Sequence, residues 1–204
     1  YRINGKTTYA MEGSIFIAGA GVQWLRDRMK FFKKAKETEK ILNSLKDNKD
    51  VYLVPAFTGM GAPYWNQNSR GVLSGLTRDT GPKEIVRATI ESVAYQTYDL
   101  FEAMKHDGLR PRVVKVDGGM VMNNWFSQFL SDVVNVKVFR PKVHETTALG
   151  AAFMAGLQIG VYKSLKDISK NWSLEKKFTP KMKNNNRKSL LLGWSKAIKR
   201  ALIN

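Results

Sequence analysis

The feature that most constrains the fold is a single long amphipathic segment near the middle of the chain. Over residues 80–106, apolar side chains recur at intervals of four and three, which is the spacing of one face of an α-helix. These positions are Val86, Ile90, Val93, Thr97, Leu100 and Met104. Pro82 stands near the first turn, where its missing N–H costs nothing. The pattern predicts one long helix with a buried stripe.

Short β-branched segments alternate with further helical patterns on both sides of this helix. Strands are predicted at residues 8–17, 51–55, 71–76, 113–117 and 136–139, and helices at a start near Ala18, 33–48, 123–134, 147–159 and around Trp194. Strands that alternate with helices indicate an α/β domain. In helix 147–159, Ala148, Ala151, Ala152 and Ala155 predict a closely packed face. The Lys-rich stretch 176–188 is predicted to be a mobile loop.

Composition limits the classes of protein that the chain can belong to. Its 204 residues are 43% hydrophobic, which suits one substantial core with a small elaboration. There is no cysteine, so disulfides and thiolate metal sites are excluded, and the composition fits a reducing cytoplasm. His106 and His144 lie far apart, which argues against a metal site. No apolar run is long enough for a bilayer, so no membrane partner is expected.

The formal net charge of +17 raises the separate possibility of a nucleic-acid-binding module. Most of the basic residues are lysines spread along the chain, with concentrations in residues 30–40 and 163–188. Because bidentate recognition of bases and phosphates favours arginine, solvated faces are the preferred interpretation. No nucleic-acid partner is therefore expected.

The strongest local signal for a ligand site is a predicted strand that ends in Gly118 and Gly119 and is followed by Asn123. Glycine lets a nucleotide approach the backbone, and N–H groups near a helix start favour phosphate. Asn123 could then hydrogen-bond a base or ribose edge. The alternative is a tight turn with Asn123 as the helix N-cap, and spacing alone favours this alternative.

Two further segments have weaker signals. Residues 18–23 place Gly19 at a helix start and Gln23 one turn later, although no Gly-Lys-Ser/Thr follows as in a Walker A loop. Taken alone, this segment favours close packing of small residues over a ligand site. The loop 55–65 is rich in glycine and aromatic residues, which suits either a binding segment or a turn buried under Tyr64 and Trp65.

Residues 71–76, a spacer of seven residues and residues 84–91 together resemble the second signature of the FGGY carbohydrate kinases. The loop 55–65 resembles that of the glycerol kinases within this family, as do residues 9–13, 23–27 and 146–152. The resemblance runs from about Tyr9 to Arg200.

The resemblance implies an actin-like, ribonuclease-H-like ATPase domain, with residues 1–204 as the C-terminal half of a two-domain kinase whose N-terminal domain is absent from this chain. It implies ATP with Mg²⁺, phosphorylation of glycerol to glycerol 3-phosphate, and nucleotide contacts at Gly19, Gln23, Gly119 and Asn123. The catalytic aspartate and the glycerol-binding residues are expected in the N-terminal part. No catalytic residue is therefore assigned here, and the isolated chain is expected to be inactive. The full-length enzyme is expected to be a cytoplasmic homo-oligomer, and another FGGY sugar or polyol kinase remains the alternative.

Overall fold

The long central helix is present as expected and forms the spine of the domain. In the computed structural model, which describes residues 1–203, this helix spans Pro82–His106. Gly81 is its N-cap, and the Glu84 carboxylate accepts a hydrogen bond from the Gly81 N–H at 2.9 Å. Val86, Ile90 and Val93 are buried, whereas the stripe becomes half-buried from Thr97 onward. The helix therefore anchors the core through its first half.

The other elements follow the alternation of strands and helices that the sequence predicts. In chain order, with the central helix as α3, they are β1 Arg2–Ile3, β2 Lys6–Thr7, α1 Gly19–Asp27, α2 Glu37–Asn43, β3 Tyr52–Val54, β4 Val72–Ser74, β5 Val113–Lys115, a 3₁₀ turn Gly119–Met122, α4 Asn124–Val134, β6 Lys137–Pro141, α5 Thr146–Gln158, α6 Leu165–Ser169, β7 Leu174–Phe178 and α7 Asn184–Leu202. The domain is thus mixed α/β.

Three small sheets frame the helices. β1 pairs with β2, and β3 pairs with β4, both antiparallel. The third sheet has the order β5-β6-β7, with β5 parallel to β6 and β6 antiparallel to β7. The parallel pair is connected through α4, as in a βαβ unit. The turn that leaves β5 and enters α4 therefore lies at the carboxyl end of a strand, where α/β folds place their ligands.

The core joins α3 to α4, α7 and β3. Tyr95 of α3 stacks on Trp194 of α7 with ring centroids 5.3 Å apart, and it meets Phe129 of α4 edge-on at 5.7 Å. Gly193 of α7 lies against the ring of Tyr52, and a Cβ at this position would be 2.6 Å from Tyr52 Cε2. Phe126, Leu130 and Val133 point into this core, as predicted for an amphipathic α4.

Four of the sequence predictions are wrong or need correction. Residues 8–17 form no strand, because no strand among residues 1–203 pairs with them. The predicted helix 33–48 is reduced to the seven residues of α2. The alanine face of α5 is exposed rather than closely packed, since all four of its alanines lie at the surface. The stretch 176–188 is not a loop throughout: it contains the end of β7 and the first turns of α7.

Candidate nucleotide-binding site

The first wall of the site is α1, which begins at Gly19 as the sequence predicts. No side chain caps this helix, although the Gly21 N–H in its first turn donates to the Ala18 carbonyl at 3.0 Å. The first turn carries the positive end of the helix dipole. Gly21 is buried against Thr89 of α3, and a Cβ there would lie 3.0 Å from Thr89 Cγ2. Gly19 is different, because a Cβ there would meet nothing within 4 Å. Gly19 is thus not required by packing within this chain.

The second wall is the turn between β5 and α4. Gly118 has a φ of 81°, in the left-handed region that favours glycine, whereas Gly119 begins the 3₁₀ turn with ordinary φ. A Cβ on Gly119 would meet no atom within 4 Å. Gly118 therefore makes the turn, and the backbone of Gly119 is left exposed beside open space.

Asn123 is the N-cap of α4, so the simpler of the two sequence interpretations is confirmed. Its Oδ1 accepts a hydrogen bond from the Phe126 N–H at 3.0 Å. Its Nδ2 donates to Thr38 Oγ1 at 3.2 Å, which ties α4 to α2. Capping does not remove Asn123 from the site, because its side chain also lines a pocket.

A pocket of about 170 Å³ lies between these two walls. Its lining includes Val22 of α1, Gly119 and Asn123 of the second wall, and Thr38 and Glu39 of α2. A cavity of this size holds a single ring, such as benzene or a nucleotide base. The structure thus brings two of the predicted residues, Gly119 and Asn123, to one pocket. Gly19 and Gln23 are exposed on α1 beside it, and Val22 forms the wall at this point.

Sequence reasoning missed the residues that hold the second wall in place. The guanidinium of Arg140, in β6, is buried and donates to the carbonyl oxygens of Val121 at 2.7 Å and Met122 at 3.3 Å. It also donates to Asn124 Oδ1 at 3.2 Å and to the Glu175 carboxylate at 2.8 and 3.1 Å. Arg140 therefore connects the turn before α4 to β7, and no local pattern in the sequence signals this role.

Helix α2 closes the pocket from the third side, which no local sequence pattern indicates. Glu39 Oε1 accepts from the Asn124 backbone N–H at 3.1 Å and from Asn124 Nδ2 at 3.0 Å. Together with the Thr38–Asn123 hydrogen bond, this pairs two successive residues of α2 with two successive residues at the start of α4. The Lys/Glu-rich composition of residues 33–48 had indicated only a solvated surface helix.

The buried carboxylates of the chain lie outside this pocket. Glu91 is fully buried in α3, where it accepts hydrogen bonds from Arg87 at 2.7 Å, Asn48 at 2.8 Å and Tyr95 at 3.1 Å. Burial raises the pKa of Glu91, and the hydrogen bonds and charge of its partners oppose this shift. Glu91 is thus the centre of a structural network.

Asp99 forms a second network, which anchors the loop 55–65. A single oxygen, Asp99 Oδ2, accepts from Tyr64 Oη at 2.8 Å and from Trp194 Nε1 at 2.6 Å. Burial raises the pKa of Asp99. Burial also raises the pKa of Tyr64, and the neighbouring Asp99 carboxylate raises it further. Trp65, next in the loop, is 66% exposed. The loop is therefore fixed under Tyr64 but not under Trp65.

A comparison with protein families identifies the family to which this domain belongs. Residues 2–159 match the FGGY family of carbohydrate kinases, C-terminal domain. The chain belongs to this family. The match spans more than half of the chain and includes both walls of the pocket.

Individual relatives agree with this assignment. The chain is 55% identical to glycerol kinase 1 of Pseudomonas aeruginosa and 51% identical to a glycerol kinase of Clostridium botulinum, in each case over 98% of the chain and 40% of the relative. The chain thus spans about two fifths of the length of the curated relatives that it matches.

The solved structures show that the chain has the fold of these kinases. A glycerol kinase of Plasmodium falciparum, solved with ADP, superposes with a TM-score of 0.83 at 36% identity, over 93% of this chain and 38% of the other. A xylulose kinase of Lactobacillus acidophilus superposes with a TM-score of 0.79 at 23% identity, over 94% and 39% of the two chains. The second likeness concerns the fold alone. The actin-like α/β architecture expected from the sequence is confirmed.

Among the helices of residues 1–203, none is both long enough and apolar enough to cross a membrane.

Proposed function

We propose that this chain is the C-terminal, nucleotide-binding half of an ATP-dependent glycerol kinase. The observation that carries the proposal is the identity of 51–55% with glycerol kinases across 98% of the chain. The aligned 98% of the chain takes in the segments that form the pocket between α1 and α4. The related glycerol kinase of known structure was solved with ADP, which supports a nucleotide as the ligand of this domain.

The geometry of the pocket suggests which part of the nucleotide each wall contacts. The exposed backbone of Gly119 gives the adenosine a surface without a Cβ, and Asn123 lies beside the ring-sized space. Gly19 lies at the start of α1, which no side chain caps, and Gln23 lies one turn later; the positive end of the helix dipole favours phosphate oxygens there. We assign the base to the pocket, and the phosphate and ribose side to α1.

The proposed reaction is in-line transfer of the γ-phosphoryl group from ATP to a glycerol hydroxyl. Mg²⁺ would neutralise charge on the phosphates when it is bound with ATP. Within residues 1–203, no group of three or more His, Asp or Glu side chains is arranged to hold a metal ion, so we assign no Mg²⁺ ligand to this chain. We assign the general base and the glycerol-binding residues to an N-terminal domain of the full-length protein. We further propose that the full-length enzyme is a cytoplasmic homo-oligomer.

Glycerol-dependent formation of ADP by the full-length protein tests this proposal, with the 204-residue chain assayed beside it. The proposal predicts turnover by the full-length protein and none by the chain alone, although the chain retains ADP binding. Turnover with another polyol or sugar but not with glycerol would overturn the substrate assignment and leave the kinase assignment in place. Absence of nucleotide binding by both proteins would overturn the function itself.

A further inference from the structure

We propose that Glu39 selects the base of the bound nucleotide by accepting a hydrogen bond from the exocyclic amino group of adenine. The inference rests on the proposed nucleotide function of the pocket and adds a specificity-determining residue to it. It follows from the hydrogen-bonding capacity that remains on the polar side chains of the pocket after their contacts within the protein are satisfied.

Asn123 offers a base the remaining hydrogen of its Nδ2 as a donor. Its Oδ1 accepts from a backbone N–H, which cannot act as an acceptor, so the orientation of the amide is fixed. One hydrogen of Nδ2 is directed to Thr38 Oγ1, and one remains. Thr38 has no hydrogen to spare, because its hydroxyl donates to the Ala35 carbonyl at 2.7 Å.

Glu39 offers the complementary acceptor. Its Oε1 accepts both hydrogen bonds from Asn124, whereas its Oε2 has no hydrogen-bond partner among residues 1–203. Glu39 lines the pocket and is half-buried. Thr38 is hydrogen-bonded to Asn123, and the next residue of α2, Glu39, is hydrogen-bonded to Asn124. The free Nδ2 hydrogen of Asn123 and the free Oε2 of Glu39 therefore come from neighbouring positions.

A donor beside an acceptor matches adenine and not the 6-oxopurines. Adenine presents its N6 amino group as a donor next to ring nitrogens that accept, which is the pattern a single Asn or Gln reads in DNA. Guanine and hypoxanthine present O6, an acceptor, at the same position, and O6 would face the Glu39 carboxylate. We therefore expect the 204-residue chain to bind ATP roughly 10- to 100-fold more tightly than ITP.

Replacement of the carboxylate by an amide should reverse the preference. In Glu39→Gln, the two N–H groups of Asn124 hold the amide oxygen in the place of Oε1. The amide NH₂ then takes the place of Oε2 and presents a donor to the base. ATP should bind more weakly and ITP more tightly, so that the ratio Kd(ITP)/Kd(ATP), roughly 10 to 100 in the wild type, falls below one in this variant. Glu39→Ala removes the acceptor without adding a donor, and it should abolish the preference without reversing it.

Isothermal titration of the chain with ATP and with ITP tests the inference. Glu37→Gln is the matched control, because Glu37 lies on the same helix, is exposed, accepts from the Lys34 N–H at 2.7 Å and does not line the pocket. Thermal melting of each variant verifies that it is folded. Equal wild-type affinity for ATP and ITP, or the same ratio in wild type and both Glu39 variants, overturns the inference while the nucleotide site stands. Absence of ATP binding by the wild type overturns the site and the inference together.

Discussion

Arg140 is the residue whose replacement tests the architecture of the site most severely. It is 4% exposed and makes hydrogen bonds to two carbonyl groups of the 3₁₀ turn, to the Asn124 side chain and to the Glu175 carboxylate. Its guanidinium also lies over the Phe178 ring, 5.6 Å from the centroid. Arg140→Met keeps most of the apolar volume of the side chain and removes every one of its hydrogen bonds.

The cost of this replacement follows from what the former partners retain. The Val121 carbonyl still accepts from Ser127 Oγ at 2.9 Å, and Asn124 Oδ1 still accepts from Lys176 Nζ at 2.8 Å. The carboxylate partner of Arg140 is 36% exposed and can be hydrated. Loss of one member of a buried ion pair costs about 3–5 kcal/mol when the other is left uncompensated. Because Val121 and Asn124 keep other partners and the Glu175 carboxylate can be hydrated, we expect a loss of about 2–3 kcal/mol, near the value of charged hydrogen bonds.

Equilibrium unfolding in urea measures this loss directly. Lys176→Met is the control, since it removes a hydrogen bond to the same Asn124 oxygen from an exposed position and should cost less than about 0.5 kcal/mol. A result for Arg140→Met that is indistinguishable from that of Lys176→Met would refute the assignment of Arg140 as the anchor of the turn.

Three further predictions follow from single contacts. Gly119→Ala should leave the free energy of unfolding unchanged or slightly raised, since the added Cβ meets nothing, while nucleotide affinity measured by titration falls about tenfold or more. Gly150→Ala, whose added Cβ also meets nothing, is the control. Equal nucleotide affinity of the two variants would contradict the placement of the nucleotide. Because burial raises the pKa of Asp99, the contribution of this residue to wild-type stability should fall as pH rises from about 4 through the folded-state pKa. Asp99→Asn keeps both donors satisfied, so its free energy of unfolding in urea should increase relative to that of the wild type between pH 4 and 7. A difference between the two proteins that does not change with pH would argue against the raised pKa. Gly193→Ala should destabilise the domain by about 1–3 kcal/mol through overlap with Tyr52, and a neutral result by thermal melting would show that the ring can move aside.

The helices were predictable where a local pattern also agreed with the packing. The apolar spacing of α3 and α4 continues over several turns, so the buried faces could be read without knowledge of their partners. Residues 8–17 show the opposite case. A strand needs a neighbour, and β-branched composition alone does not supply one. The stretch 176–188 was misread because lysines dominated it, although Phe178 is buried at the end of β7.

The candidate site was predictable to the extent that glycine and N-cap signals are local. Gly119 and Asn123 could be found because both act at a turn between a strand and a helix. Glu39 and Arg140 could not be found in this way, because each acts on the turn from another element. Glu39 is 85 residues from Asn124 in sequence, and Arg140 is 19 residues from Val121. An exposed-looking Lys/Glu helix and an arginine in a strand give no sign of a tertiary partner.

Nuclear magnetic resonance mapping of ADP on the ¹⁵N-labelled 204-residue chain tests directly whether this pocket binds the nucleotide. We expect saturable shifts concentrated in the amides of residues 19–23, 38–39 and 119–124, which surround the pocket. Gly119 should be among the residues that shift most. Saturable shifts confined to the loop 55–65, or no saturable shift at any ADP concentration, would contradict the claim that this pocket binds the nucleotide.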